Sequence, residues 1–200
     1  MTHSDAGLDF VPARRYHKRR RRAQRAEGED GMFRAMRRKN QQLSLAECEE
    51  ILRRGTSGVL ALAGDGGYPY AVPISYAGGA EKLYFHCARQ GHKLDAIRRC
   101  AKASFCVIGA DDVAPEKYTT RYRSVIAFGT VRILESDAER RAAAEALAEK
   151  YAPKEPQASR EAEIARYWDT LCALEMTVEH LTGKEGLEMT LAREAAGERE

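Results

Sequence analysis

The stretch "YPYAVPISYAGGAEKLYFHCARQGHKLDAIRRC", residues 68–100, contains the pattern that decides the fold. Two short apolar runs, 70–77 and 82–87, have the length and the aromatic or β-branched content of strands, and a glycine turn joins them. Because proline cannot donate to a sheet ladder, Pro73 predicts an edge strand or a bulge. Residues 91–100 then carry apolar side chains at helical spacing. The stretch predicts two strands joined by a tight turn and followed by a helix.

The rest of the chain extends this pattern. Further strands are predicted at 57–63, 103–109, 123–136 and 171–183, and a polar loop at about 110–120. Helices are predicted between Ser44 and Gly55, between Asp137 and Pro153, and over about 159–168. About six strands that do not alternate regularly with helices predict a mainly β fold with peripheral helices, an α+β barrel, and not a doubly wound parallel sheet.

Charge divides the 200-residue chain unevenly. Residues 1–40 hold 12 Lys and Arg against 5 Asp and Glu, a net charge of +7, while residues 41–200 hold 21 against 25, a net charge of −4. We therefore predict a disordered basic extension over 1–35, one domain over 36–186 and a frayed tail over 187–200. The extension is either a solvated segment that precedes a start at Met36 or a contact for an anionic surface. The acidic body and the missing reader motif argue against a nucleic-acid partner.

The sequence also indicates the cellular compartment in which the protein is expected. No run of eighteen apolar residues exists, so no membrane partner is expected, and the basic N-terminus lacks the apolar segment of a signal peptide. Five cysteines are scattered without a Cys-x-x-Cys pair. This usage is typical of reduced thiols in a cytoplasmic protein.

Ionisable and sulfur side chains crowd the junction between the strand 82–87 and its helix, namely His86, Cys87, His92 and Lys93. Neighbouring residues of a strand face opposite sides, so His86 and Cys87 are poorly placed to share a metal ion or to form a Cys–His nucleophile. No second cluster has zinc spacing, and no metal is expected. A glycine before a helix start, with Lys93 beside it, suits a phosphate group. An ordinary solvated lysine is the alternative that the pattern leaves open.

The stretch 68–100, followed by "YRSVIAFGTVRILES" at 122–136, resembles the pyridoxamine 5'-phosphate oxidase-like superfamily of FMN-binding split barrels. It is most similar to the nitroimidazole-resistance branch. The resemblance runs from Met36 to about Gly183 in the order and spacing of its elements, and it includes "MRRK" at the start and "LTGK" at the end. It implies a six-stranded split barrel with FMN at a homodimer interface.

The resemblance also implies a set of cofactor-binding residues. The strand after the Tyr-Pro turn would line the isoalloxazine and ribityl chain, and the end of the next strand would contribute to the site. A basic pair six residues further on would hold the phosphate, and a polar residue before V-x-x-x-G would complete the site. In this sequence these positions are Val72, Pro73, Ile74 and Ser75, then His86 and Cys87, then His92 and Lys93, and finally Ser124.

Two departures from the family pattern matter. The first member of the phosphate pair is often arginine and is His92 here, so its charge would depend on pH. The C-terminal Trp and Arg-Leu motif of the true oxidases has no counterpart, since the one tryptophan is Trp168. Synthesis of pyridoxal phosphate is therefore not expected.

These features lead to one functional hypothesis and its alternatives. The hypothesis is a homodimeric FMN-dependent oxidoreductase that takes electrons from NAD(P)H or another donor and reduces small electrophiles such as nitroimidazole or nitroaromatic compounds. His86, with Tyr84 on its face, would contact the substrate or deliver a proton, or else be a structural histidine. The alternatives are a flavin-binding protein without turnover and a split barrel that uses F420 or haem.

Overall fold

Seven antiparallel strands form one sheet in the computed structural model, which describes residues 32–197. The strands are β1 (Ser57–Ala63), β2 (Pro69–Ser75), β3 (Ala77–Gly78), β4 (Lys82–Ala88), β5 (Lys102–Ala114), β6 (Thr119–Ile133) and β7 (Leu171–Glu185). The helices of this part of the chain are α1 (Leu45–Arg54), α2 (His92–Arg99), α3 (Asp137–Tyr151), α4 (Gln157–Tyr167) and α5 (Leu187–Ala195). The predicted mainly β fold with peripheral helices is confirmed.

The two edges of the sheet meet at a single residue. The order of strands is β2-β1-β5-β6-β7-β4-β3, so β2 and β3 are the edge strands, as Pro73 predicted for β2. Tyr76 alone separates Ser75, the last residue of β2, from Ala77, the first of β3. Two edges this close require the sheet to curl back on itself. Within the described residues no ladder joins them, so the barrel is split along this line, which we call the seam.

The seam explains why the sequence predicted six strands and the structure has seven. The single run predicted over 70–77 is divided at Tyr76 between β2 and the two-residue strand β3. Tyr76 is fully buried, and its ring meets that of Phe105 at a centroid distance of 4.8 Å. Phe105 in turn meets Phe85 at 5.1 Å. These three rings occupy the interior of the curled sheet, where they stabilise the fold by burial and by edge-to-face contact.

Helix α1 forms where the sequence predicted a helix between Ser44 and Gly55. The Ser44 side chain accepts a hydrogen bond from the Glu47 backbone N–H, and the Glu47 carboxylate accepts one from the Ser44 N–H at 2.8 Å, a complete capping box. Cys48, Ile51 and Leu52 form the buried face of the helix, which packs on β5, β6 and β7.

The predicted polar loop at 110–120 is wrong in extent. Strand β5 continues to Ala114 and β6 begins at Thr119, so the two strands form a long hairpin arm with only a short turn. Asp112 lies opposite Arg121 in the ladder, and their charged groups are 3.0 Å apart. Such cross-strand pairs of opposite charge stabilise a hairpin whose residues are mostly polar. Its sequence therefore lacks the apolar alternation that predicts a strand. The register shifts at a bulge between Ile108 and Ala110.

The segment expected to fray at the C-terminal end is largely helical. Helix α5 covers Leu187–Ala195 and is tied to the body through Glu185, which is fully buried. The Glu185 carboxylate lies 3.0 Å from Arg123, 3.0 Å from Arg193 and 3.1 Å from the Thr190 hydroxyl. A buried carboxylate requires such partners, and two of them lie on α5. The composition of the tail does not reveal these contacts, because they depend on the burial of Glu185 at the end of β7 and on Arg123 of the distant strand β6.

The predicted extension over 1–35 lies mostly outside the described residues, which begin at Met32. Phe33 stacks on His180 of β7, with ring centroids 4.7 Å apart, and approaches Phe128 of β6 at 5.7 Å. Phe33 therefore packs on the sheet although it precedes the predicted boundary at Met36. Among residues 32–197 no helix is long and apolar enough to span a membrane.

Candidate functional site

The start of helix α2 presents unpaired backbone donors. Gly91 precedes the helix with φ +127°, a conformation that glycine adopts readily and other residues do not. Its carbonyl accepts from the N–H groups of Leu94 at 2.9 Å and Asp95 at 3.3 Å, and no side chain of the described residues caps the helix. The N–H groups of His92 and Lys93, the first two residues of the helix, therefore remain without a partner among the described residues, at the positive end of the helix dipole.

Lys93 adds a cation at this helix start. Its side chain is half-buried, and no carboxylate of the described residues forms an ion pair with it. The other basic side chains of the same helix have acidic partners, since Arg99 and the His92 imidazole contact Asp65 and Arg98 contacts Asp95. A half-buried cation without an acidic partner, next to unpaired N–H donors, has the chemistry of a candidate anion-binding site.

His86 lies close enough to Lys93 to be affected by its charge. Partial desolvation, and then the positive charge of Lys93, lower the pKa of His86 below its usual value of 6.5. The residue lies on the outer face of β4, opposite Ala173 of β7, and part of its side chain is exposed. Its imidazole is therefore neutral at neutral pH, with one nitrogen that donates and one that accepts a hydrogen bond.

Cys87 faces the opposite way from His86. It packs against the core and lies opposite Cys172 of β7, as the alternation of the strand predicted. Burial raises the pKa of the Cys87 thiol to about 11, the adjacent Cys172 adds to that rise, and the charge of Lys93 opposes it. The Cys87 side chain thus points to the interior, and only its backbone is available on the outer face with His86.

The predicted site residues of β2 also face two opposite sides of the sheet. Val72 and Ile74 pack against the core, whereas Pro73 is exposed. Ala77 lies opposite Tyr84 in the β3–β4 ladder, and Ser75 precedes Ala77 by two residues. By the alternation of β2, Pro73 and Ser75 face the outer side of the sheet, while Val72 and Ile74 offer only backbone there.

His92 is engaged by two residues that the sequence analysis did not identify. Its ring stacks on Tyr70 at a centroid distance of 4.1 Å, and its Nε2 atom lies 3.4 Å from the Asp65 carboxylate. Arg99 lies 2.7 Å from the same carboxylate. Asp65 lies in the turn between β1 and β2, and no local pattern links that turn to α2. An anion that used His92 would have to replace Asp65 as its partner.

Ser124 is not brought to this site within one chain. It lies opposite Lys184 near the end of β7, whereas His86 lies opposite Ala173 near the beginning. Eleven residues of an extended strand at about 3.3 Å each separate these two positions by roughly 35 Å along β7. If Ser124 contributes to the site, it does so from another copy of the chain.

A pocket of about 500 Å³ lies on the outer face of β5, β6 and β7. It is bordered by the segment from Met32 to Met36 and by Phe128 and His180, and none of the predicted site residues lines it. Among residues 32–197, no group of three His, Cys, Asp or Glu side chains is arranged to hold a metal ion.

The fold is a split barrel, and its candidate anion site is the start of α2 beside Lys93. A family model described as pyridoxamine 5'-phosphate oxidase matches residues 44–185. The chain therefore belongs to the pyridoxamine 5'-phosphate oxidase family of flavin-binding proteins, and the predicted family is confirmed. Comparison with curated proteins finds no match.

Solved structures agree with this fold. A candidate 5-nitroimidazole antibiotic resistance protein from Bacteroides thetaiotaomicron is 20% identical with a TM-score of 0.60, over 70% of this chain and 82% of that one. An FAD- and haem-binding protein from Mycobacterium smegmatis is 24% identical with a TM-score of 0.60, over 76% and 79%. The flavocytochrome Anf3 from Azotobacter vinelandii is 14% identical with a TM-score of 0.60, over 79% and 78%. At these identities the likeness concerns the fold.

Proposed function

We propose that this protein is an FMN-dependent oxidoreductase that reduces small electrophiles. The single observation that carries the proposal is the half-buried Lys93 ammonium, which has no acidic partner in the described residues and lies at the uncapped start of α2. A terminal phosphate monoester is doubly charged and takes several hydrogen bonds, which this combination of a cation and backbone N–H donors supplies.

The residues around the seam suit the rest of an FMN molecule. Pro73 and Ser75 face outward along β2, and His86 faces outward on β4. A ribityl chain that extends from the phosphate at Lys93 would find the Ser75 hydroxyl and the exposed backbone of the edge strand as hydrogen-bonding groups. When bound, FMN would supply the hydride and single-electron chemistry that no side chain provides.

His86 has the properties of a proton-handling group beside such a cofactor. Its lowered pKa keeps the imidazole neutral near pH 7, so it can hold or accept a proton on the outer face of β4. Tyr84 lies on the same face, two residues away, and is partly buried beneath α3. We assign His86 to substrate contact or proton delivery, and a structural histidine is the alternative.

The substrate class follows from the family branch that the sequence resembles. Nitroimidazole and nitroaromatic compounds are small and electron-poor, and NAD(P)H is the proposed electron donor. The candidate nitroimidazole-resistance protein from Bacteroides thetaiotaomicron shares the fold, which supports this choice of compounds for a first assay. The active unit would be a homodimer, because Ser124 can complete the site only from a second copy.

Two measurements test the proposal. The absorbance spectrum of the purified protein distinguishes FMN from F420 and from haem, and release of the cofactor followed by chromatography distinguishes FMN from FAD. Anaerobic reduction with NADPH, followed by reoxidation with a 5-nitroimidazole, then separates an enzyme from a flavin-binding protein without turnover. A haem or F420 spectrum, or protein that fails to bind added FMN, would contradict the cofactor assignment.

A further inference from the structure

Cys87 and Cys172 lie directly opposite one another in the ladder between β4 and β7. The Val178 N–H donates to the Glu81 carbonyl at 2.9 Å one step beyond this ladder, which marks that position as a hydrogen-bonded pair. Such pairs recur at every second residue, so Cys87 and Cys172, six residues along, form another. The Cα atoms of a pair of this kind are about 5.5 Å apart, within the range of about 4.4–6.8 Å that disulfides span.

Both cysteines are free thiols, and their side chains belong to the hydrophobic core on the inner side of the sheet. They are close enough for Cys172 to raise the pKa of the Cys87 thiol. Cys172 is 7% exposed, whereas Cys87, near the end of β4, is only half-buried. The comparison cysteine is Cys106 of β5, which is equally half-buried but lies opposite Val59 and Ile126 in its two ladders.

We propose that Cys87 and Cys172 are a redox-active pair, which closes to an intramolecular disulfide by exchange with a low-molecular-weight disulfide of the glutathione type. The more exposed Cys87 sulfur, as thiolate, attacks one sulfur of the oxidant and releases the first small thiol. The Cys172 sulfur then attacks Cys87 in the mixed disulfide and releases the second. The two protein thiols lose two electrons and two protons, and the oxidant becomes two thiols.

The geometry predicts that this disulfide is readily reduced. Cβ atoms of opposite residues in a sheet lie about 4.5–5.5 Å apart, and a disulfide requires about 3.8 Å. Closing the bond must therefore draw β4 and β7 together at this point. Strain of this kind makes a disulfide easier to reduce, which is typical of reversible redox pairs and not of permanent crosslinks.

The rate of closure should depend on pH. Burial and the neighbouring Cys172 thiol on β7 raise the pKa of Cys87 to about 11, while Lys93 on α2 acts in the opposite direction. His86, the adjacent residue on β4, is neutral in this range because desolvation and Lys93 lower its pKa. Exchange requires the thiolate, so its rate should rise about tenfold per pH unit between pH 7 and 9.

The experiment exposes the full-length protein to oxidised glutathione at pH 9 and counts thiols after denaturation. Of the five cysteines in the chain, two should disappear, and a non-reducing digest should contain a peptide pair linked through Cys87 and Cys172. Reduced glutathione should restore all five thiols. The wild-type digest answers the question without any variant, so a variant that folds poorly does not obscure the result.

Two variants sharpen the test. Cys172→Ser should stop at a mixed disulfide that carries one glutathione on Cys87, because the resolving thiol is missing. Cys106→Ser should still close the pair, since Cys106 has no cysteine opposite it. Five thiols after prolonged exposure at pH 9, a disulfide that links other cysteines, or the absence of a glutathione adduct in Cys172→Ser would overturn the proposal.

Discussion

Tyr151, the last residue of α3, bonds both backbone polar groups of Tyr76, the residue at the seam. The Tyr76 N–H donates to the Tyr151 hydroxyl oxygen at 2.9 Å, and the same hydroxyl lies 3.0 Å from the Tyr76 carbonyl and contacts the Thr56 carbonyl. The preceding residue, Lys150, extends over the Tyr76 ring at 3.8 Å and donates to the Leu52 carbonyl. The end of α3 therefore supplies the hydrogen bonds that a continuous sheet would otherwise give to Tyr76.

Tyr151→Phe should destabilise the fold, because the buried Tyr76 N–H would lose its acceptor. Leaving such a group unsatisfied costs about 1–3 kcal/mol, which for a domain of this size lowers the melting temperature by roughly 2–12 °C. Thermal unfolding measures the change. Tyr118→Phe is the matched control, since Tyr118 is 98% exposed and should leave the melting temperature unaltered. Equal effects of the two substitutions would show that the seam contact contributes nothing.

Lys93→Ala should weaken FMN binding by about one to two decades, because a charge-assisted contact to phosphate contributes about 1.5–3 kcal/mol. Riboflavin lacks the phosphate, so its affinity should be the same in the variant and the wild type. Titration of the flavin-free protein with both ligands measures the difference. Lys154→Ala, at an exposed lysine in the turn after α3, is the control. A similar loss for riboflavin would place Lys93 away from the phosphate.

His86 should affect both activity and acid stability. Desolvation and Lys93 lower its pKa in the folded protein, so the unfolded chain binds the proton more strongly. Stability is therefore lost as the pH falls from about 6.5 toward the lower folded pKa, and His86→Phe should remove this part of the loss. Denaturant unfolding of the wild type and the variant at pH 7.5 and pH 5 measures this difference in the free energy of unfolding.

The same variant should retain FMN and slow the reduction of a nitro compound by about two to four decades if His86 delivers a proton. Single-turnover reoxidation at full flavin occupancy measures the rate. Normal reoxidation would leave His86 as a structural residue.

The site should be shared between two copies of the chain, because Ser124 and His86 are far apart along β7 within one copy. Light scattering should give the mass of a dimer. A mixture of Lys93→Ala and Ser124→Val chains, unfolded and refolded together, should recover part of the wild-type FMN affinity, since each mixed dimer has one unaltered site. Recovery no greater than the average of the two separate variants would contradict a shared site.

Two deletions locate the N-terminal boundary of the domain. Removal of residues 1–31 should leave the melting temperature unchanged, whereas removal of 1–35 also removes the Phe33 contact with His180 and Phe128. An aromatic pair of this kind contributes about 0.5–1.5 kcal/mol beyond its buried area, so the shorter protein should melt a few degrees lower while remaining folded. Identical melting temperatures would restore the boundary at Met36.

Much of this protein could be predicted from local patterns. The capping box at Ser44, the helices α2 and α3, and the positions of the long strands all follow from spacing and turn residues, because these signals depend on neighbours within a few positions. The alternation of β4 likewise predicted that His86 and Cys87 face opposite sides, and the structure agrees. The glycine before α2 and the lysine after it indicated an anion site for the same local reason.

What depends on distant partners was decided by the tertiary structure. The hairpin arm extends through the predicted loop because residues 110–114 pair with residues 119–123 in the β5–β6 ladder. Helix α5 is held in place by the buried Glu185, two of whose partners lie on that helix. His92 faces Asp65, and Ser124 lies far from His86 along β7, for reasons of tertiary packing and register that no local pattern contains. The pairing of Cys87 with Cys172 across 85 positions of the chain is of the same kind, because strand pairing alone determines which residues meet.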